Sequence, residues 1–245
     1  MIEVHGLTKT FGDQPAVDDL SFWAPAGKVT GFLGPNGAGK TTTFRCLLGL
    51  AEATSGTALI DGASYRDLAV PRRAVGAVLE STGFHPSRSG RNHLRVLARS
   101  AGLDLAGIDP LLELVGLRSA ADRRVGGYSL GMRQRLGLAA AMLGDPGVVV
   151  LDEPVNGLDP EGVAWVRRLL RRWADEGRTV VVSSHLLGEV AQVVDRVVVI
   201  RDGRLVAETD IADLAEAVTV TELARLTPGD SLEAMFFAVT GRSDG

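Results

Sequence analysis

The stretch GPNGAGKT, from Gly34 to Thr41, constrains this chain more than any other feature, because it lies between the apolar run KVTGFLG and the helix-spaced segment TTTFRCLLGL. A short apolar strand ending in glycine, a loop without bulky side chains and a helix entered at a lysine leave few ways to fold. Gly34, Gly37 and Gly39 let the loop, which also includes Pro35, Asn36 and Ala38, close around an anion. The N-terminus of the following helix points its positive end at the same place. In this strand-loop-helix context the spacing G-x-x-x-x-G-K-[ST] predicts a nucleoside triphosphate site, with ATP the expected ligand. Lys40 would reach the β- and γ-phosphates, Thr41 would place its hydroxyl on Mg²⁺, and Thr42 would add a hydrogen bond to a phosphate oxygen. A glycine-rich turn with no ligand is the competing reading.

The remaining apolar runs, AVGAVL, GVVVLD, TVVVSS and RVVVI, alternate with helical stretches. That pattern predicts an α/β fold, a phosphate-loop core with a mostly parallel sheet covered by helices. Before it, IEVHGLTKTF and VDDLSFW read as two half-buried strands of a small antiparallel sheet, joined by a Gly-Asp-Gln-Pro turn. A long helical stretch, roughly residues 85–144, reads as a subdomain inserted between two core strands. The main domain is placed at residues 1–215, with DGRLVAE as a hairpin arm and DIADLAEA as a short helix. Residues 216–245 are read as a C-terminal extension that frays at its end.

GVVVLDE supplies a second half to the phosphate site. Its apolar strand would deliver Asp152 and Glu153 beside the loop. Asp152 is the candidate to hold the metal, and Glu153 the candidate general base for an attacking water. A strand end followed by a helix cap is the alternative for this pair.

Composition narrows the rest. With 245 residues, 45% of them hydrophobic, the chain can bury a sizeable core, and its net charge of -4 offers no field to attract a nucleic acid. Only Lys9, Lys28 and Lys40 among the 26 basic residues are lysine, which singles out the lysine of the phosphate loop. No run of about 18 uncharged apolar residues is present, and MIEVHGLTKTFGDQ lacks the pattern of a secretory leader, so a cytoplasmic location is expected. Cys46, the single cysteine, is read as core packing in the helix after the loop. Arg167, Arg168, Arg171 and Arg172 make a basic helix face, read as solvated.

Taken in order, the motifs resemble those of the ATP-binding cassette ATPases, the nucleotide-binding subunits of ABC transporters, over almost the whole chain. YSLGM, residues 128–132, precedes the helix GMRQRLGLAAAML and is similar to the family signature, matching it fully at Ser129 and Gly131. The resemblance implies that these two donate hydrogen bonds to the γ-phosphate held by an opposite subunit. NGLD, residues 156–159, resembles the loop through which Asp159 crosses the dimer seam. His185, at the end of TVVVSSH, stands where the family places a histidine on the γ-phosphate and the attacking water. Phe11 matches the position that stacks on adenine, with packing in the N-terminal sheet as its alternative.

Glu80 follows AVGAVL where the family usually has glutamine, and a carboxylate there would bind Mg²⁺ or a water beside the triphosphate. That glutamate, YSLGM and the stretch SLEAMFFAVTG resemble the antibiotic and multidrug exporter branch. The implied partners are a second nucleotide-binding subunit, most simply another copy, and a transmembrane permease on a separate chain. Residues near Phe84 and His85 would face the permease, and the subunit would sit peripherally on the inner face of the membrane. A cassette ATPase with a non-transport role, or a nucleotide-dependent switch without turnover, are the other functions open to such a chain. The first would call for tandem cassettes, a long coiled coil or a basic patch, and the second for loss of Glu153 or His185.

Overall fold

Alternating apolar residues draw the start of the chain into β1 (Ile2–Phe11) and β2 (Gln14–Ala24), which bury Ile2, Val4, Leu7, Val17, Leu20 and Phe22. These strands pair antiparallel with Phe11 opposite Gln14, so the turn is Gly12 and Asp13 alone and Gln14 and Pro15 already belong to β2. The turn is tighter than the expected Gly-Asp-Gln-Pro because Gly12 takes a left-handed φ of +59°. The computed structural model describes residues 1–79, 83–185 and 192–213. The expectations for Glu80 and for the extension 216–245 lie outside those residues.

β3 (Val29–Leu33), buried at every position, runs into the glycine-rich loop, and α1 (Lys40–Leu47) follows it. β4 (Ser55–Ile60) then pairs with the free edge of β1 and completes a sheet ordered β2-β1-β4. This strand was not anticipated, because Ser55, Gly56 and Thr57 begin SGTALI with turn-like residues. Next come α2 (Pro71–Ala74), β5 (Val75–Val78), α3 (Gly90–Ser100), α4 (Ile108–Leu114) and α5 (Leu130–Ala141). The chain continues through β6 (Val148–Leu151), α6 (Pro160–Asp175), β7 (Thr179–Ser184), β8 (Arg196–Arg201) and β9 (Arg204–Asp210).

Among the described residues the main sheet has the order β5-β6-β7-β3-β8-β9, parallel except for the β8–β9 hairpin. Its valine runs follow from burial on both faces, since period-2 alternation sends Val149 and Leu151 one way and Val148 and Val150 the other. The first face packs under α5 and α6, through Leu138, Leu169 and Trp173. The second packs against α1 and the β2-β1-β4 sheet, where the rings of Phe22, Phe32 and Phe44 stack at 4.9 and 5.3 Å between centroids. Cys46 is half-buried on this side, and burial pushes its thiol above the ordinary range, so it stays a neutral packing group.

Between β5 and β6, the helices α3 to α5 enclose an apolar cluster of their own that includes Leu94, Leu112 and Leu136. The buried Tyr128 hydroxyl donates to the Ala120 carbonyl at 2.7 Å within it. The far end of α5 lies hard against β5. A Cβ at Gly76 would stand 2.1 Å from the Ala141 carbonyl oxygen and 2.9 Å from Pro146 Cγ, so only glycine fits. Gly76→Ala is therefore expected to cost about 1–3 kcal/mol of stability through overpacking, read as a lower urea midpoint. An unshifted midpoint would mean that α5 yields freely at that end.

The basic face of α6 is less free than its sequence implies. Arg171 bridges Asp195 at 2.8 Å and Asp175 at 3.0 Å, Arg172 bridges Glu176 at 3.0 Å, and Arg167 donates to Gln192 at 2.9 Å. Among the described residues no helix is long and apolar enough to cross a membrane.

Candidate nucleotide site

The loop after β3 is shaped by what surrounds it. The Gly34 amide donates to the Ser184 carbonyl at 3.3 Å, and a Cβ at Gly34 would lie 2.4 Å from the Ile200 carbonyl oxygen. Gly39, at φ +102°, caps α1, and its Cβ would lie 2.4 Å from the Ala16 carbonyl oxygen. No side chain caps this helix and no acidic residue occupies its first turn. Its leading N–H groups are thus left available to an acceptor from outside the helix. Asn36, Gly37, Ala38, Gly39, Lys40, Thr41 and Thr42 line a cleft of about 470 Å³, with Ala16, Asp152, Glu153, Asn156 and His185 on its other walls.

Within the cleft the charged groups are already connected. Lys40 is buried to 6% exposure, and its ammonium donates to the Gly34 carbonyl at 2.6 Å and to the Pro35 carbonyl at 3.2 Å. The same nitrogen stands 3.4 Å from Glu153 Oε1. The other Glu153 oxygen lies 3.0 Å from His185 Nδ1. Thr41 donates from Oγ1 to Asp152 Oδ2 at 2.6 Å. Parallel strands explain the convergence, because β3, β6 and β7 all end at this edge and deliver the loop, the two acids and the histidine together.

Glu153 departs from the strand it follows. Its φ of +49° is left-handed, a conformation that costs a non-glycine residue about 1–2 kcal/mol and that turns its carboxylate toward Lys40 and His185. Asp152 keeps the strand geometry, with its amide donating to the Val78 carbonyl at 2.8 Å. Asp152 is 2% exposed and each of its carboxylate oxygens has a partner, since Ser183 Oγ donates to Oδ1 at 2.5 Å while Thr41 donates to Oδ2. Ser183 Oγ also accepts from the Glu153 amide at 2.9 Å.

A divalent cation fits the donors present. Among the described residues no group of three or more His, Cys, Asp or Glu has metal-binding spacing, but Thr41 Oγ1 and Asp152 Oδ2 make an adjacent pair of hard oxygens. That is the provision expected for Mg²⁺, which takes one or two protein oxygens and completes its shell with water and phosphate.

The other candidates stand apart from the cleft. Ser129 caps α5, its Oγ accepting from the Met132 amide at 3.2 Å, and Gly131 lies in the first turn of the same helix. Asp159 caps α6 by accepting from the Gly162 amide at 2.8 Å. None of the three lines the phosphate cleft of its own chain. Phe11 is 56% exposed at the end of β1, with the Lys9 ammonium 4.9 Å from its ring centroid, so it takes no part in the N-terminal core. Sequence reasoning missed Ser183 and also Gln134, whose Nε2 donates to the Pro154 carbonyl at 3.0 Å and ties α5 to the segment after Glu153. The hydroxyl pair ending a strand of valines was the available signal for the first. Nothing in the sequence marked the second.

Comparison with known proteins agrees with this fold. The model of the ABC transporter family matches residues 17–156. The bacitracin transport ATP-binding protein BcrA of Enterococcus faecalis is 40% identical over 217 residues, covering 87% of this chain and 70% of that protein. The lantibiotic transport ATP-binding protein SrtF of Streptococcus pyogenes is 35% identical over 212 residues, covering 86% of this chain and 91% of that one. Among solved structures, an ATP-binding subunit of an ABC transporter superposes with a TM-score of 0.82 at 26% identity, covering 98% of this chain and 99% of that one. A family match over residues 17–156 and a relative 40% identical across 87% of the chain make this protein a member of the ABC transporter family, as its ATP-binding and ATP-hydrolysing subunit.

Proposed function

We propose that this chain is the energy-coupling subunit of an exporter, which carries an antibiotic, drug or lipid-like compound through a separate membrane permease. The observation that carries the reading is the preassembly of Lys40, Glu153 and His185 in one cleft, while Ser129 and Gly131 present their donors elsewhere. One copy then holds everything for hydrolysis except the groups that close over the γ-phosphate, and a second copy, related by a two-fold axis, supplies them.

In this mechanism the loop amides and Lys40 hold the β- and γ-phosphates of ATP, with Thr42 adding a hydrogen bond and Phe11 stacking on the adenine. Bound Mg²⁺ would neutralise charge developing between those phosphates, and Thr41 and Asp152 would hold it, with Glu80 contributing directly or through a water. Glu153 takes a proton from the attacking water as the water oxygen bonds to the γ-phosphorus and the bond from that phosphorus to the β-γ bridging oxygen breaks, giving ADP and phosphate. His185 orients Glu153 and contacts the γ-phosphate. Asp159 crosses the seam to the facing subunit.

Residues 1–215 form the cassette, with the helical insertion 85–144 meeting the permease near Phe84 and His85, and 216–245 as an extension. The subunit sits peripherally on the cytoplasmic face of the membrane. The names of BcrA and SrtF support peptide antibiotics as the first substrates to try. Expression of the chain with a candidate permease in a sensitive host is expected to raise the inhibitory concentration of bacitracin or a lantibiotic several-fold, and Glu153→Gln is expected to cancel the rise. An unchanged inhibitory concentration for both, with ATPase activity intact, would remove the antibiotic-export reading and leave the ATPase.

A further inference from the structure

Ser183 lies in the last turn of the pleat of β7, fully buried, where every residue from Val180 to Val182 is valine. Valine there would suit the strand as well and bury no polar atom, so a hydroxyl is tolerated only because it is bonded. Its two hydrogen bonds go to the two acids of the cleft, one to the side chain of Asp152 and one from the backbone of Glu153. We propose that Ser183 is a positioning residue for hydrolysis, which fixes the Asp152 carboxylate with Oδ2 toward Thr41 and the metal and holds the Glu153 backbone in the conformation that aims its carboxylate at the attacking water. This inference rests on the roles given above to Asp152 and Glu153.

Each bond removes one freedom. The carboxyl torsion of an aspartate is broad and nearly two-fold, so an Oδ1 without a partner would let the group turn and take Oδ2 away from Thr41. With Oδ1 held at 2.5 Å and Oδ2 at 2.6 Å, the plane is set from both sides before any ligand binds. Glu153 poses the second problem. Its left-handed φ of +49° turns its amide out of the β5–β6 ladder, which ends with the Asp152 amide on the Val78 carbonyl. A buried amide so turned needs an acceptor, and the neighbouring strand provides one in Ser183 Oγ at 2.9 Å. The strain at Glu153 is thus sustained by the hydroxyl that also sets Asp152.

The test uses the full chain with Ser183→Ala and Ser183→Thr. For Ser183→Ala, kcat is expected to fall about 10- to 100-fold, as for the loss of an outer partner of a metal ligand, with KM for ATP changed by less than about threefold. The extra melting-temperature increment that Mg²⁺ adds to ATP should shrink, while the increment from ATP with EDTA stays the same. Ser183→Thr, which keeps the hydroxyl, should restore both kcat and the Mg²⁺ increment. If Ser183→Ala does not give folded protein, Ser183→Cys carries the same expectation, because a thiol matches the shape but donates weakly. An unchanged kcat and Mg²⁺ increment, or equal losses in the alanine and threonine variants, would overturn the proposal. Glu153→Gln separates the two levels. Retained turnover in that variant would undo the roles on which the inference rests, whereas lost turnover there beside an unaffected Ser183→Ala would undo only the role of Ser183.

Discussion

Replacing Glu153 with glutamine is expected to lower ATP turnover by about 10²- to 10⁴-fold, the range for loss of a general base, with the melting temperature of the free protein nearly unchanged. Glutamine keeps the length of the side chain and its hydrogen-bonding reach toward Lys40 and His185, so the cleft retains its shape. It cannot take a proton from water. It also removes a negative charge that stands 3.4 Å from the Lys40 ammonium, and binding of the triphosphate should strengthen as a result. ATP held without turnover should leave two copies locked on two nucleotides, seen by size-exclusion chromatography with Mg·ATP as a dimer that the wild-type chain shows only briefly. Unchanged steady-state turnover would remove Glu153 as the base. A strictly monomeric variant at saturating ATP would instead remove the two-subunit site.

Gly39→Ala should be nearly as damaging by a different route. The new Cβ would meet the Ala16 carbonyl oxygen at 2.4 Å, and the residue would be held at φ +102°, outside the region that alanine favours. The loop must then move at the residue that caps α1 and precedes Lys40, taking at least two phosphate donors out of place. At about 1.5–3 kcal/mol for each charge-assisted hydrogen bond, ATP affinity should fall by roughly 100-fold or more, read by titration with a fluorescent nucleotide. Gly37→Ala is the informative control. Gly37 has a similar left-handed φ of +82°, but its Cβ would meet nothing within 4 Å. Its loss should be much smaller, limited to backbone strain of about 1–2 kcal/mol. Equal losses at the two positions would show that strain alone, and not the contact with Ala16, governs the loop.

The parts of the fold legible in the sequence were those set by short-range rules. Valine runs announced the buried parallel strands, and the loop announced itself by glycine spacing followed by Lys40 and Thr41. What escaped was set by partners distant in the chain. β4 exists because β1 offers a free edge, a fact that SGTALI does not contain. Ser183 matters because β7 lies beside β6 in the sheet, bringing it within 2.5 Å of a carboxylate 31 residues earlier. Arg168 and Arg172 are exposed as the sequence implied, but Arg171 is tied down by Asp195, which lies just before β8 and 24 residues along the chain. Phe11 shows the reverse case: its motif position was readable, but whether its ring was covered depended on the sheet, which leaves it exposed.

The tight seating of Gly76 under Ala141 has a mechanical consequence. α5 is pinned to the edge of the main sheet at one end and carries Ser129 at the other, about 18 Å away at 1.5 Å per residue. If the helix rocked as a rigid rod, the close contact at Gly76 would be its fulcrum. A rocking of the helical unit by about 10° around that fulcrum would sweep the Ser129 hydroxyl through about 3 Å, the difference between gripping a phosphate oxygen and releasing it. A glycine with no role in chemistry would then set the point about which small rotations become large displacements.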